Sequence, residues 1–258
     1  MPARLFHVSD LHFGREDAVA VQWFADRVRS ERPDAVIVTG DLTMRARSRE
    51  YQAAGEWLQA LDVPVSIEPG NHDLPYFNPV ARLTFPYRRY ERLKRALERP
   101  LDLPGIWLVP LRTTARAQWR FNWSWGVVRR RAIADAVQLL KARPPDHVAI
   151  VACHHPLIGT EVSDGHGRTL RGEKALAALA GAGAQVVLSG HVHEPFDAQV
   201  DTLAGPVRLI GAGTLSERLR EAPPSFNELA VEGARLDVTV RTMDGMGVPV
   251  AVGIESVA

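Results

Sequence analysis

Two pairs of metal-competent side chains with i, i+2 spacing lie far apart in the 258-residue chain: Asp10 and His12 in "SDLHFG", and His191 and His193 in "SGHVH". Between them come Asp41 in "TGDLT", Asn71, His72 and Asp73 in "PGNHD", and His154 and His155 in "CHHP". Carboxylate, amide oxygen and imidazole, with no thiolate needed, form a donor set for Mn, Fe, Zn, Ni or Co rather than Ca or a zinc-finger type metal. Two such ions sharing a water generate a nucleophile near neutral pH and bind the oxygens of a phosphate, so the chemistry to expect is hydrolysis at phosphorus. A shared carboxylate lowers the repulsion between the ions. Asp41, with Gly40 letting the chain turn close to them, is the natural bridge. Taken singly, each motif has a plainer reading as a cap, a turn or a core histidine. Their recurrence at successive strand ends is what points to a site.

These residues must be carried by elements that end together. Short runs rich in Val and Ile precede each motif, over 4–10, 34–41, 63–73, 147–155 and 184–193, and read as strands buried on both faces. Helical spacing fills 18–32, 48–61, 129–142 and 173–182, and this alternation predicts an α/β fold whose strand carboxyl ends share one edge. Neighbouring residues of a strand face opposite ways, so only one histidine of "CHHP" can serve such an edge. From about 196 the pattern changes to strands joined by Gly-containing turns, predicted to complete a second sheet antiparallel. Residues 75–105 read as an irregular insertion with a helix near 87–98 and an excess of Arg. With no linker and no internal repeat, the expectation is a single domain over 1–258.

The composition, 46% apolar and 24% charged with a net charge of +1, is that of a soluble globular chain with no global attraction to nucleic acid. Cys153 is the lone cysteine, which excludes an intrachain disulfide and favours a reducing compartment. No run approaches a membrane span and no signal segment is evident, so the expected location is cytoplasmic, without integral membrane contact. Oligomeric state is left open, a homodimer included.

"D-x-H" at 10–12, "GD" at 40–41, "GNHD" at 70–73, "HHP" at 154–156 and "GHVH" at 190–193 resemble the motif series of the calcineurin-like metallophosphoesterases, over about residues 1–215. Within them the pattern is most similar to the bacterial class III cyclic-nucleotide phosphodiesterases. The resemblance implies a four-layer sandwich, two mixed β-sheets packed face to face with helices on both outer faces. It implies two divalent metal ions per chain, Mn, Fe, Zn or a mixture. Asp10, His12, Asp41 and His193 would hold one ion, and Asp41, Asn71, His154 and His191 the other. His72 would be the catalytic non-ligand beside the leaving group, with Asp73 placed to fix its tautomer.

The implied activity is hydrolysis of a small-molecule phosphoester, foremost a phosphodiester such as a 3′,5′-cyclic nucleotide, by attack of a metal-bridging hydroxide. A nucleotide-linked pyrophosphate, a glycerophosphodiester or a lipid-related phosphoester is the alternative substrate, and a protein-binding scaffold the non-enzymatic one. Nucleic acid is not an expected partner. Substrate contacts are expected from Asn122 and from His166 and Arg168 in the loop 157–176, with Thr214, Ser216 and Arg218 as further phosphate-contact candidates. Trp119, Trp123 and Trp125 read as the core face of a strand or as a base-stacking surface. A lipid substrate would need an exposed amphipathic element. Tyr76, Phe77, Phe85, Tyr87 and Tyr90, set among arginines, are the one place that offers it.

Overall fold

The computed structural model describes residues 2–97, 99, 101, 103–116, 124–159 and 169–245. In the first sheet β1 (Ala3–Val8), β2 (Ala35–Val38) and β3 (Val65–Ile67) run parallel, linked by α1 (Ala18–Glu31) and α2 (Ser48–Ala60). After α3 (Pro79–Thr84) and α4 (Arg88–Leu97) the chain enters a second sheet with β4 (Ile106–Pro110). A short parallel pair, β5 (Gly126–Val127) and β7 (Thr169–Leu170), lies outside both sheets. Beyond α5 (Arg130–Lys141), β6 (Val148–Ala152) joins β4, and α6 (Gly172–Gly181) leads to β8 (Val186–Ser189).

Alternation along each strand builds the layers. Leu5, Ile37, Ile150, Leu188 and Leu229 point between the sheets into one shared core. Their neighbours Phe6, Val36 and Val38 turn outward against Phe24, Val28, Leu58 and Tyr90, from α1, α2 and α4. Ala149, Val151 and Val187 turn outward against Leu140, Leu176 and Leu179, from α5 and α6. The result is the expected four-layer α/β sandwich. Strands buried on both faces account for the near-continuous apolar runs.

Helix α1 shows how local sequence sets an element. The Asp17 side chain accepts from Val19 N and Ala20 N at its start, and Ala20, Val21, Phe24, Ala25 and Val28 form its buried stripe.

The C-terminal strands depart from expectation. β9 (Phe196–Thr202) and β10 (Gly205–Gly211) extend the second sheet, whose order is β4-β6-β8-β10-β9, while β11 (Ser225–Glu232) and β12 (Arg235–Thr242) cross back to the first, whose order is β12-β11-β1-β2-β3. Turn signals mark strands but not which sheet they enter. In the segment after 75 the helix expected near 87–98 is α4, which packs on α2 and β3 with the Tyr90 hydroxyl donating to the Ile67 carbonyl at 2.7 Å, and α3 is an added short helix. No helix among the described residues is long and apolar enough to cross a membrane.

Candidate metal centre

The strands stop short of the chemistry. β1 ends at Val8, β3 at Ile67, β6 at Ala152 and β8 at Ser189, so the polar residues occupy turns beyond them. Alternation along an extended strand is therefore not what aims Asp10 with His12 or His191 with His193. Asp10 (φ 55°), His12 (47°), Asp41 (50°), His191 (74°) and His193 (63°) all have left-handed backbone, five of the nine non-glycine residues that do among those described. Each such conformation costs on the order of 1–2 kcal/mol, and its clustering marks a site the surrounding structure is built to hold. Hydrogen bonds tie the turns together: Asp10 N to Gly40 O at 3.0 Å, His12 N to Asp41 O at 2.9 Å and Gly190 N to His154 O at 2.9 Å.

Two glycines permit the close approach. At Gly40 (φ +98°) an added Cβ would lie 2.5 Å from His154 Nδ1, and at Gly70 one would lie 2.0 Å from Asp41 Oδ1.

The side chains converge on a buried edge. His193 Nε2 lies 3.1 Å and His12 Nε2 3.6 Å from Asp10 Oδ1, and the two imidazole nitrogens are 3.2 Å apart. Asp41 Oδ2 stands between two groups, 3.7 Å from His12 Nε2 and 3.5 Å from His154 Nε2, which in turn lies 3.1 Å from Asn71 Oδ1. His191 closes the set: its N donates to Asp10 Oδ2 at 2.7 Å and its ring is 5.1 Å from that of His154. Donors bonded at about 2.1 Å to one ion sit about 3–3.5 Å from each other in octahedral or tetrahedral geometry, the spacing seen here. Asp10 Oδ1 is buried yet aligned with no hydrogen-bond donor, as an oxygen reserved for a cation would be. The residues fit metal binding, and the clusters Asp10, His12, His193 and Asp10, Asp41, His154 can each hold an ion.

Backbone carbonyls orient the imidazoles. A carbonyl only accepts, so His154 Nδ1 donates to Thr39 O at 2.8 Å, His193 Nδ1 to Arg218 O at 2.7 Å and His72 Nδ1 to Met44 O at 2.7 Å, leaving Nε2 of each toward the edge. Met44, not Asp73, thus sets the His72 tautomer. The Asp73 carboxylate is turned away and accepts from the backbone N–H groups of Leu42, Thr43 and Gly70, pinning the loops of Asp41 and Asn71 together. His155 stays beside the edge, its ring 4.6 Å from those of His154 and His191, close enough to form a third possible cluster with them. His155 is buried, with Nδ1 2.9 Å from Thr113 Oγ1 and Nε2 3.0 Å from Ser124 O, so both of its nitrogens are already engaged.

The sequence profile of the calcineurin-like phosphoesterases matches residues 3–195, three quarters of the chain and every motif above. The chain belongs to this family. A glycerophosphodiester phosphodiesterase from Enterobacter lignolyticus is 38% identical over 92 residues, 30% of this chain and 33% of that protein. A probable glycerophosphodiester phosphodiesterase from Arcobacter nitrofigilis is 31% identical over 170 residues, 63% of this chain and 57% of that protein. The chain thus matches between a third and somewhat over half of the length of these relatives. Among solved structures, a dimetal phosphatase from Danio rerio superposes with a TM-score of 0.67 at 14% identity, covering 94% of this chain and 97% of that one. Purple acid phosphatase from yellow lupin (Lupinus luteus) seeds gives 0.69 at 14% identity, covering 96% and 53%. Both share the fold.

In this member of the calcineurin-like family the charges interlock. Burial alone would raise the Asp10 carboxyl, but the adjacent His193 and His12 imidazoles hold it well below its usual range. Asp41 is likewise lowered against its burial, by His154, His72 and His12. Burial opposes protonation of His154, yet Asp41 and Asp10 bring it up to about 9. His191, half-buried and beside His154, is pushed down to about 3, by loss of solvent first and by His154 next. Protons on imidazole thus balance the carboxylates where cations fit, and metal binding would release them.

Asn122, His166 and Arg168 lie outside the described residues, as do Trp119 and Trp123, and Trp125 is half-buried. The loop after β10 is more informative. Thr214 and Ser216 are buried and structural, the Thr214 hydroxyl donating to Asp10 O at 2.6 Å. Arg218 is exposed, and its Nη1 reaches 3.2 Å from His12 Nε2 and 3.3 Å from His72 Nε2. It forms no ion pair with a carboxylate among the described residues.

Proposed function

We propose that the chain is a phosphodiesterase in which Asp10, His12, Asp41 and His193 hold one divalent ion and Asp41, Asn71, His154 and His191 a second. The observation that carries this reading is the set of donor atoms 3.1–3.7 Å apart around Asp10 Oδ1 and Asp41 Oδ2. When bound, divalent ions of this class lower the pKa of a water and neutralise phosphoryl charge. His72 has its Nδ1–H held by Met44 O, so its Nε2 is the atom that can pass a proton to the departing oxygen. To do so the ring must carry protons on both nitrogens. Arg218, a guanidinium at the same edge with no carboxylate partner among the described residues, contacts a phosphoryl oxygen of the substrate.

A small phosphodiester is the substrate class, with 3′,5′-cyclic nucleotides and glycerophosphodiesters the two candidates. The names of both relatives support the second. The lone Cys153, free and buried, supports a cytoplasmic location. The test is hydrolysis of bis-p-nitrophenyl phosphate against p-nitrophenyl phosphate with added Mn, followed by the two natural classes. Faster turnover of the diester supports the reading. Hydrolysis of neither compound by metal-loaded protein overturns it.

A further inference from the structure

Five of the ten large apolar side chains exposed among the described residues fall within ten positions: Tyr76 (64%), Phe77 (60%), Val80 (70%), Leu83 (52%) and Phe85 (66%). Scattered exposed hydrophobics are ordinary, but a run of them is not. This run leaves the candidate metal centre four residues after His72, through the buried Leu74 and Pro75.

Its outward orientation is built in. Helix α3 is capped by the Asn78 side chain, which accepts from Ala81 N at 2.8 Å, and starts with Pro79. Arg82 is the residue this helix buries, 4% exposed, donating to Arg116 O at 3.0 Å and Pro75 O at 3.3 Å. With the arginine turned inward, Val80 and Leu83, three apart, face solvent. The helix is inside out relative to a water-facing one.

Cations surround the apolar tip. Arg45 and Arg47 stand 5.5 Å and 5.6 Å from the Phe77 ring centre. Arg88, Arg89 and Arg92 are exposed on α4 and line, with Phe85, a cavity of about 390 Å³. The acid of this helix, Glu91, pairs with Arg112. Aromatic and aliphatic side chains ringed by arginines match the layered chemistry of an anionic bilayer, apolar below and negative at the headgroups. A second copy of the chain does not match, because a twofold contact would set arginines against arginines.

We propose that residues 76–85 and the exposed arginines of α4 form a docking surface for an anionic lipid bilayer, which brings the edge carrying His72 to the headgroup layer. Docking is peripheral and does not depend on hydrolysis, so its test is separate from that of the proposed activity.

The full chain, with its metals, is sedimented with vesicles of phosphatidylcholine alone or mixed with phosphatidylglycerol. Binding to the mixed vesicles is expected, weakening as salt rises. Phe85→Ser should lower the partition coefficient about 10-fold and Arg88→Ser with Arg92→Ser about 10- to 30-fold. Neither change should alter hydrolysis of a soluble diester or the thermal unfolding midpoint. Inorganic phosphate that displaces the chain from vesicles only at the concentration that raises ionic strength equally also supports a surface. Equal binding to neutral vesicles, no binding to either, undiminished binding by both variants, or an apolar-face dimer without vesicle binding overturns the proposal.

Discussion

His72 Nδ1 donates to the carbonyl of Met44 at 2.7 Å, which fixes the ring so that Nε2 faces the edge where Asp10, His12 and Asp41 meet. The ring is half-buried and belongs to a turn whose own N–H donates to Asp41 Oδ1 at 2.8 Å. A proton donor needs one nitrogen anchored in this way, and at the other, Nε2, the neighbour is the exposed Arg218 guanidinium 3.3 Å away.

Replacing the ring removes the proton path but no proposed metal ligand. His72→Ala should lower kcat about 10²- to 10⁴-fold while metal content stays unchanged. Parallel loss of metal and activity would make His72 a ligand instead.

Arg218 supplies two things, a carbonyl to His193 and a guanidinium to the edge. Substitution spares the carbonyl, so Arg218→Ala should weaken competitive inhibition by inorganic phosphate about 10-fold or more, the scale of one charged hydrogen bond. Metal content should hold, and Arg218→Lys should restore only part of the affinity because a single ammonium cannot make a two-pronged contact. An unchanged inhibition constant in both variants would remove Arg218 from the substrate site.

The ligand-type residues were legible because imidazole, carboxylate and amide at strand ends are chemically conspicuous. What orients them was not. Thr39, Met44 and Arg218 act on His154, His72 and His193 through backbone carbonyls, a group every residue carries. Asp73, the side chain that looked suited to orient His72, is instead the anchor of neighbouring backbone N–H groups. The fold was legible for a related reason. Apolar runs report burial on two faces, but β11 and β12 carry no mark of the sheet they rejoin, since pairing across the chain depends on partners distant in sequence.

His155 separates packing from ligation within "CHHP". His155→Ala removes a buried imidazole and its contacts to Thr113 Oγ1 and Ser124 O, while the backbone N–H at 155 still donates to Thr113 Oγ1 at 3.0 Å, a loss on the order of 2–4 kcal/mol in unfolding free energy, mostly from the cavity. Chemical unfolding should show that loss with metal stoichiometry preserved. Loss of one metal without loss of stability would make His155 a ligand.

His7, buried under the edge between Thr39 and Asn227, is pushed down from 6.5 to about 3, by burial above all. Its folded value lies below its unfolded one, so between these pH values the unfolded chain binds a proton that the folded chain does not. The stability it contributes is complete above about pH 6.5 and falls with pH toward 3, by up to about 1.4 kcal/mol per pH unit. Urea unfolding across that window should give a shallower pH slope for His7→Gln than for the parent chain. Parallel slopes would exclude His7 as a source of acid lability.

Metal counting tests the central claim most directly, because the proposed activity depends on the two-ion assignment. Elemental analysis of the purified, dialysed chain should return about two divalent ions per chain, and His154→Ala, which removes a ligand of only one proposed ion, about one. A parent chain that binds no stoichiometric metal, or a His154→Ala variant that retains both ions, would contradict the account.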